Sequence, residues 1–305
     1  MNKKIIVFGS KGLVGTSVTK IFSEAGYDIF ASSRKDTDLF KIDQVKNLIE
    51  EFKPNLIINA AAKVGGIYAN DTLRTEFLIE NLKINTNILE SCIPNTNIEI
   101  INLGSSCIYP LDAKNPIAES SIMSGVLEPT NSPYAMAKLT AIELGRSLNI
   151  QYGHKVTNLM PTNLYGPHDN FDEINSHVIP GLISRMHKSK LNKDNEFSIW
   201  GTGKPLREFL FVDDLAYAIK FIVENNIETD LINVGSNEEV SILELAKEIK
   251  SVVGFEGELI FDSTKPDGNP RKLLDSTLLN SKGWNAKTNL SDGLEITYNW
   301  YKENI

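Results

Sequence analysis

The chain has 305 residues, 41% hydrophobic and 23% charged, which is long enough to bury a sizeable core and too apolar for a disordered protein. Its 31 basic and 39 acidic residues leave a net charge of −8, which excludes a general nucleic-acid binder, whose affinity rests on neutralising phosphates. No stretch approaches the roughly 20 apolar residues of a membrane span, and Met1-Asn2-Lys3-Lys4 runs into a strand with no apolar leader. With Cys92 and Cys107 as the only cysteines, a cytoplasmic protein with reduced thiols is expected.

Ile5 to Phe8 form a short apolar run, and Val14 to Ala25 carry helical spacing, so a strand, a turn and a helix open the chain. The turn, Gly9-Ser10-Lys11-Gly12-Leu13-Val14-Gly15, has GxxGxxG spacing. Glycines there permit a tight turn, close approach of backbone to a pyrophosphate and close helix–sheet packing, while the helix N-terminus favours anionic phosphate. Tyr27 to Ala31 read as a second strand, and Ser32-Ser33-Arg34-Lys35 after it lacks the acid that an NAD enzyme sets against the ribose 2′-hydroxyl. Arg34, with Lys11 nearby, suits the 2′-phosphate of NADP. The competing reading is a solvated Arg-Lys pair beside Asp36 and Asp38.

Helical Gln44 to Phe52, apolar Leu56 to Ala61, helical Thr75 to Cys92 and strand-like Ile98 to Leu103 continue the alternation. Repeated βα units predict an α/β fold, a Rossmann-type doubly wound parallel sheet with ligand groups at the carboxyl ends of its strands. Gly104-Ser105-Ser106-Cys107-Ile108-Tyr109-Pro110 follows, and in an extended segment Ser105 and Cys107 share one face. Tyr134 and Lys138 are four apart in helical Tyr134 to Tyr152, where an ammonium lowers the phenol pKa and makes a proton donor and acceptor usable at neutral pH.

From Asn163 the alternation loosens: Tyr165 to Asn170 form a loop, in which His168 is expected to order the chain, and helical Val178 to Lys188 interrupt the crossover. Phe209 to Asp214 read as a strand running into a helix capped by Asp213 or Asp214, and Ile232 to Gly235 as another strand. The expected organisation is a nucleotide-binding domain of 1–164 plus about 206–235, and a smaller C-terminal substrate-binding lobe of about 165–205 plus 236–305, sharing a cleft. No Cys, His, Asp and Glu stand at ligand spacing, so no metal is expected.

Together these residues resemble the extended short-chain dehydrogenase/reductases and, within them, the GDP-L-fucose synthase family. The likeness runs from the first strand to about Trp300. Its motifs are Ala60-Ala61-Ala62-Lys63-Val64-Gly65-Gly66-Ile67, Gly104 to Pro110, Glu128-Pro129-Thr130-Asn131, Pro161 to Phe171, Asn175 to Pro180 and Lys265-Pro266-Asp267-Gly268. Two departures are Lys11, where an arginine is usual, and a short segment near 224–231. The resemblance implies an NADPH-dependent epimerase and reductase acting on GDP-4-keto-6-deoxy-D-mannose. In it Ser105 and Tyr134 would hydrogen-bond O4, Cys107 would be the base, and His177 the acid on the opposite face.

The resemblance also extends the NADP(H) contacts to Asp38, Leu39, Leu103, Gly104, Ser105, Ser106, Lys138, Pro161, Thr162, Asn163, Leu164 and His177. It sets Arg185, Trp200, Arg207 and Asp267 on the GDP-sugar, with lobe core as the other reading of Trp200. It implies a homodimer built on the helices of Thr75 to Cys92 and Tyr134 to Tyr152. Another 4-keto sugar nucleotide, or a nucleotide-sensing protein without turnover, are the alternative readings.

Overall fold

A computed structural model describes residues 3–173, 175–264 and 267–305, so Lys265 and Pro266 of the last motif lie outside the described residues. The first half alternates as expected: β1 (Lys4–Phe8), α1 (Leu13–Glu24), β2 (Asp28–Ser32), α2 (Ile42–Phe52), β3 (Leu56–Asn59), α3 (Ile67–Thr72), α4 (Arg74–Cys92), β4 (Glu99–Leu103), α5 (Ser132–Tyr152) and β5 (Val156–Pro161). The second half is more broken, with β6 (Asn163–Tyr165), α6 (Val178–Asn192), β7 (Glu196–Trp200), β8 (Leu206–Phe211), α7 (Val212–Glu224) and β9 (Leu231–Val234). It ends with β10 (Glu239–Ser241), α8 (Ile242–Val253), β11 (Glu258–Asp262), β12 (Arg271–Lys272), α9 (Thr277–Ser281) and α10 (Leu290–Asn304).

Six strands form a parallel sheet in the order β2-β1-β3-β4-β5-β9. A parallel sheet is covered on both faces, so its strands are apolar throughout and alternate residues enter different cores. Ile5 and Val7 join Val18, Phe22, Leu215 and Ile219 of α1 and α7, whereas Ile6 and Phe8 join Val45, Ile88 and Leu148 of α2, α4 and α5. From β1 the chain goes to β2 on one side and to β3 on the other. This reversal opens a crevice beyond the carboxyl ends of β1 and β3, where an open α/β sheet binds its ligand.

The middle of the sheet carries a buried row of amides. Asn59, Asn102 and Asn158 lie opposite one another on β3, β4 and β5. Asn59 donates to Asn102 at 2.9 Å and to Asn85 of α4 at 3.0 Å, Asn102 donates to Asn158 at 3.0 Å, and Asn158 donates to the Asp230 carbonyl at 2.9 Å.

A second core contains Phe171, Leu182, Ile183, Phe197, Leu245, Ile249, Leu294 and Tyr298. β8 joins the two cores, because Phe209 and Phe211 face the second while Leu210 between them faces the first. β10, β12 and β6 pair with β8, and β7 pairs with β11. Leu279 and Trp284, within the range expected for the smaller lobe, pack into the larger core. The expected capping of α7 is not what the structure shows. Its N-cap is Phe211, with Asp213 and Asp214 inside the first turn. There Asp213 accepts from the Ser17 hydroxyl, and Asp214 accepts from the Lys287 and Thr288 amides, which draws both carboxylates sideways to neighbouring segments.

Candidate active site

The glycine loop sits at the crevice and divides its labour among three glycines. A Cβ on Gly9, which has φ +78°, would lie 2.7 Å from the Ala61 backbone, and one on Gly15 would lie 2.1 Å from the Gly9 carbonyl oxygen. The protein's own packing therefore requires both glycines. A Cβ on Gly12 would meet only the Gly9 carbonyl oxygen, at 3.5 Å, so the bareness of Gly12 leaves a cradle open at the start of α1. The buried Ser10 hydroxyl, beside this cradle, has no hydrogen-bond partner among the described residues. An open cradle and an orphaned hydroxyl at a helix N-terminus fit a dinucleotide pyrophosphate.

At the end of β2 the two acids that blurred the sequence signal are engaged elsewhere. Asp36 accepts from the Ser33 hydroxyl at 2.6 Å, and these bonds, helped by the Lys11 charge, hold its carboxyl below the usual range. Asp38 accepts from the Phe40 amide at 3.0 Å and faces Lys41. Neither pairs with Arg34, which is exposed beside the crevice.

The groups expected to react come from the carboxyl end of β4 and the start of α5. The segment after Ser105 is a tight 3-10 turn over Ser106–Ile108, where an extended segment was expected. The Ser105 hydroxyl causes this by accepting the Cys107 amide hydrogen at 3.2 Å, a local side-chain bond that competes with strand geometry. Tyr134 is hydrogen-bonded to Ser105 and lies near Cys107. Its pKa is raised, contrary to the direction expected from the spacing, because burial outweighs any help from Lys138, with the Cys107 charge adding to the rise. Lys138 is 2% exposed and donates to the Leu103 carbonyl at 2.6 Å, with its nitrogen 5.7 Å from the Tyr134 ring centroid. Burial pushes its pKa down to about 8.

His177 is the N-cap of α6, without a side-chain cap bond. The residue is exposed, and desolvation by the protein around its ring lowers its pKa. Its segment is anchored to the larger lobe: the Gly66 amide donates to the Asn175 carbonyl at 2.8 Å, and a Cβ on Gly66 would lie 2.4 Å from the Ser176 carbonyl oxygen. A Cβ on neighbouring Gly65 would sit 3.3 Å from Phe77, whose ring meets Tyr134 edge-on at 6.3 Å, so packing through Gly65 and Phe77 connects the segment before His177 to Tyr134. His168 packs its ring 4.7 Å from that of Trp300, as a loop-ordering residue would.

Between α6 and β7, the Arg185 guanidinium lies 5.5 Å from the Trp200 ring centroid and 5.3 Å from that of Phe197. Trp200 is 53% exposed, so it is not lobe core. Asp267 accepts from the Thr202 amide and hydroxyl at 2.6 and 2.8 Å, bracing the turn after Trp200, and its charge offsets part of the pKa-lowering burial of Arg207. Thr162 and Asn163, at the carboxyl end of β5, both donate to the Glu208 carbonyl. Three further residues were not foreseen. Glu208 is fully buried and accepts from the Asn237 and Leu274 amides. Asn131, at the start of α5, holds a buried amide oxygen with no partner among the described residues. Lys272 stands 3.7 Å from Cys107. An arginine–glutamate pair before a strand hinted at the first and the Glu128 to Asn131 motif contained the second without a role, but nothing marked Lys272.

The NAD dependent epimerase/dehydratase family matches residues 5–235. GDP-L-fucose synthase 1 of Arabidopsis thaliana is 47% identical over 303 residues, covering 99% of this chain and 94% of that protein. A GDP-6-OMe-4-keto-L-xylo-heptose reductase from C. jejuni superposes with a TM-score of 0.93 at 32% identity, over 100% of this chain and 99% of that one. A GDP-L-fucose synthetase from Naegleria fowleri bound to NADP superposes with a TM-score of 0.89 at 30% identity, over 100% of this chain and 95% of that one. With a glycine cradle, a Ser105–Tyr134–Lys138 constellation and this likeness along nearly its full length, the chain belongs to the NAD dependent epimerase/dehydratase family and, within it, to the GDP-L-fucose synthases.

Proposed function

We propose that this protein converts GDP-4-keto-6-deoxy-D-mannose to GDP-L-fucose by inverting C3 and C5 and then reducing C4 with NADPH. The observation that carries the reading is the hydrogen-bonded Ser105–Tyr134 pair with Cys107 beside it. Ser105 and Tyr134 hold O4, so that charge released by loss of the C3 or C5 proton collects on an oxygen facing two donors. Cys107 removes each proton, and His177 returns one from the opposite face. NADPH supplies hydride to C4 when bound. Tyr134, kept protonated by burial, gives its proton to O4, and Lys138 fixes that end of the site through the Leu103 carbonyl. Purified protein should oxidise NADPH with this substrate, and in deuterium oxide the product should carry deuterium at C3 and C5. NADPH oxidation without deuterium at either carbon would reduce the assignment to a C4 reductase.

The cofactor contacts are Gly9 to Gly15, Arg34, Asp38, Leu39, Leu103 to Ser106, Lys138, Pro161 to Leu164 and His177, on the lobe formed by 1–164 and 206–235. The GDP-sugar contacts are Arg185, Trp200, Arg207 and Asp267, on the lobe formed by 165–205 and 236–305. Arg34 supports NADP over NAD because neither nearby acid pairs with it. Replacing Arg34 with alanine should weaken NADPH binding about ten- to a hundredfold while leaving NADH nearly unchanged, the loss expected for charge-assisted bonds. Equal losses in a titration of both cofactors would remove Arg34 from the 2′-phosphate.

The protein is cytoplasmic and a homodimer in this reading. No described helix is long and apolar enough to cross a membrane. Ile79 of α4 and Met136 and Ile150 of α5 are exposed apolar groups on the helices expected to pair. Light scattering should return about twice the 33.9 kDa chain mass, and a monomer at micromolar concentration would remove the dimer.

A further inference from the structure

Lys272 is held by bonds on every side of its strand. β12 runs parallel to β8, with Lys272 opposite Arg207. The Leu273 amide donates to the Asn115 side chain at 2.7 Å, the Leu274 amide donates to the buried Glu208 carboxylate at 3.1 Å, and the Leu273 carbonyl accepts from Ile117 at 2.8 Å. Such a backbone is a rigid mount for a long side chain. The side chain is partly buried, and its ammonium lies 3.7 Å from the Cys107 sulfur. Among the described residues no carboxylate forms an ion pair with it, so its charge is not neutralised by an acid.

Among the described residues, the other groups named around Cys107 form no comparable contact between a cation and its sulfur. Ser105 gives its hydroxyl oxygen to the Cys107 amide, and Tyr134 of α5 is a neutral phenol bonded to Ser105. Lys138 is turned to the Leu103 carbonyl. The Arg207 guanidinium donates to the Leu206 carbonyl and faces the charge of Asp267.

We propose that Lys272 is a positioning residue for the epimerisation half of the reaction, its fixed ammonium pairing with the Cys107 thiolate and aiming the sulfur at the carbon acid. The proposal rests on Cys107 being the base. In the step, the sulfur lone pair forms an S–H bond as a substrate C–H bond breaks, and the C–H electron pair passes to O4. Lys272 keeps its three protons throughout, and the thiol releases its proton to water after each abstraction, before the second carbon is deprotonated. A fixed donor 3.7 Å from the sulfur restricts the directions in which its lone pairs can point.

The test needs no substrate, so its outcome is separate from that of the assigned reaction. Alkylation of Cys107 by iodoacetamide is followed by mass spectrometry of the Cys107 peptide. Cys92 is buried with its thiol pushed up to about 12, and its peptide serves as the unreactive control. At neutral pH, Lys272→Gln should alkylate about tenfold more slowly than the parent. At about pH 10, above the usual thiol range, the two should react at similar rates. Lys272→Arg, which keeps the charge, should recover most of the neutral-pH rate. Parent-like alkylation of Lys272→Gln at neutral pH would overturn the pairing, as would an equal slowing at both pH values. If the glutamine variant does not fold, the parent decides alone: a ratio of neutral to alkaline rates no higher than that of free cysteine overturns the proposal.

Discussion

Replacing Tyr134 with phenylalanine is expected to lower NADPH-dependent reduction by roughly a hundred- to ten-thousandfold, the usual worth of a positioned general acid. The change removes one oxygen and leaves the ring edge-on to Phe77, so the fold and the cleft wall should persist. In the proposed reaction Ser105 still reaches O4, and Cys107 and His177 are untouched, so exchange of the C3 and C5 protons should continue at a reduced rate. The product mixture in deuterium oxide should therefore contain labelled keto sugar that has not been reduced. Loss of reduction and exchange by the same factor would mean that Tyr134 serves both halves equally, as an oxyanion donor more than as the acid.

Cys107→Ser is expected to act in the opposite sense, reducing deuterium incorporation at C3 and C5 by about a hundredfold or more, in line with removal of a general base. A serine hydroxyl is nearly the size of a thiol but far less acidic than the reference thiol, whose pKa is about 8.5, so it is a poor base at neutral pH. Because the Ser105–Tyr134 pair survives, hydride should still reach C4, and the reduced sugar should retain its starting configuration at C3 and C5. Wild-type deuterium incorporation in this variant would hand the base role to another residue.

The parts of this site that were legible in the sequence are those fixed by local spacing. Gly9, Gly12 and Gly15 fall between β1 and α1, and Tyr134 and Lys138 share a helix face, because a strand-to-helix turn and a four-residue helical interval impose those geometries. The run of Ser105 to Cys107 was misread because one hydroxyl capturing an amide hydrogen leaves no periodic trace. The direction of the Tyr134 shift was misread because a four-residue interval reports the neighbouring ammonium but not how much protein surrounds the phenol. Lys272 was invisible for a third reason: it meets Cys107 across 165 residues, through a two-residue strand too short to have a pattern. The same brevity hid β6, β10 and β12, whose existence depends on β8 offering them an edge.

The row of amides across β3, β4 and β5 bears on how the chain can be synthesised. Asn59 needs Asn102, Asn102 needs Asn158, and Asn158 needs the Asp230 carbonyl, so each amide waits for a partner that leaves the ribosome later. A buried amide without its partner costs about 1–3 kcal/mol, so nascent chains that stop short of Asp230 hold an unfinished row at the centre of their largest sheet. Between Asn158 and Asp230 lie β6 to β8, α6 and α7, including much of the second core. The six-stranded sheet therefore cannot complete its folding during translation until about three quarters of the chain has been made, and a truncated 1–164 fragment should be an aggregation-prone piece rather than a working domain.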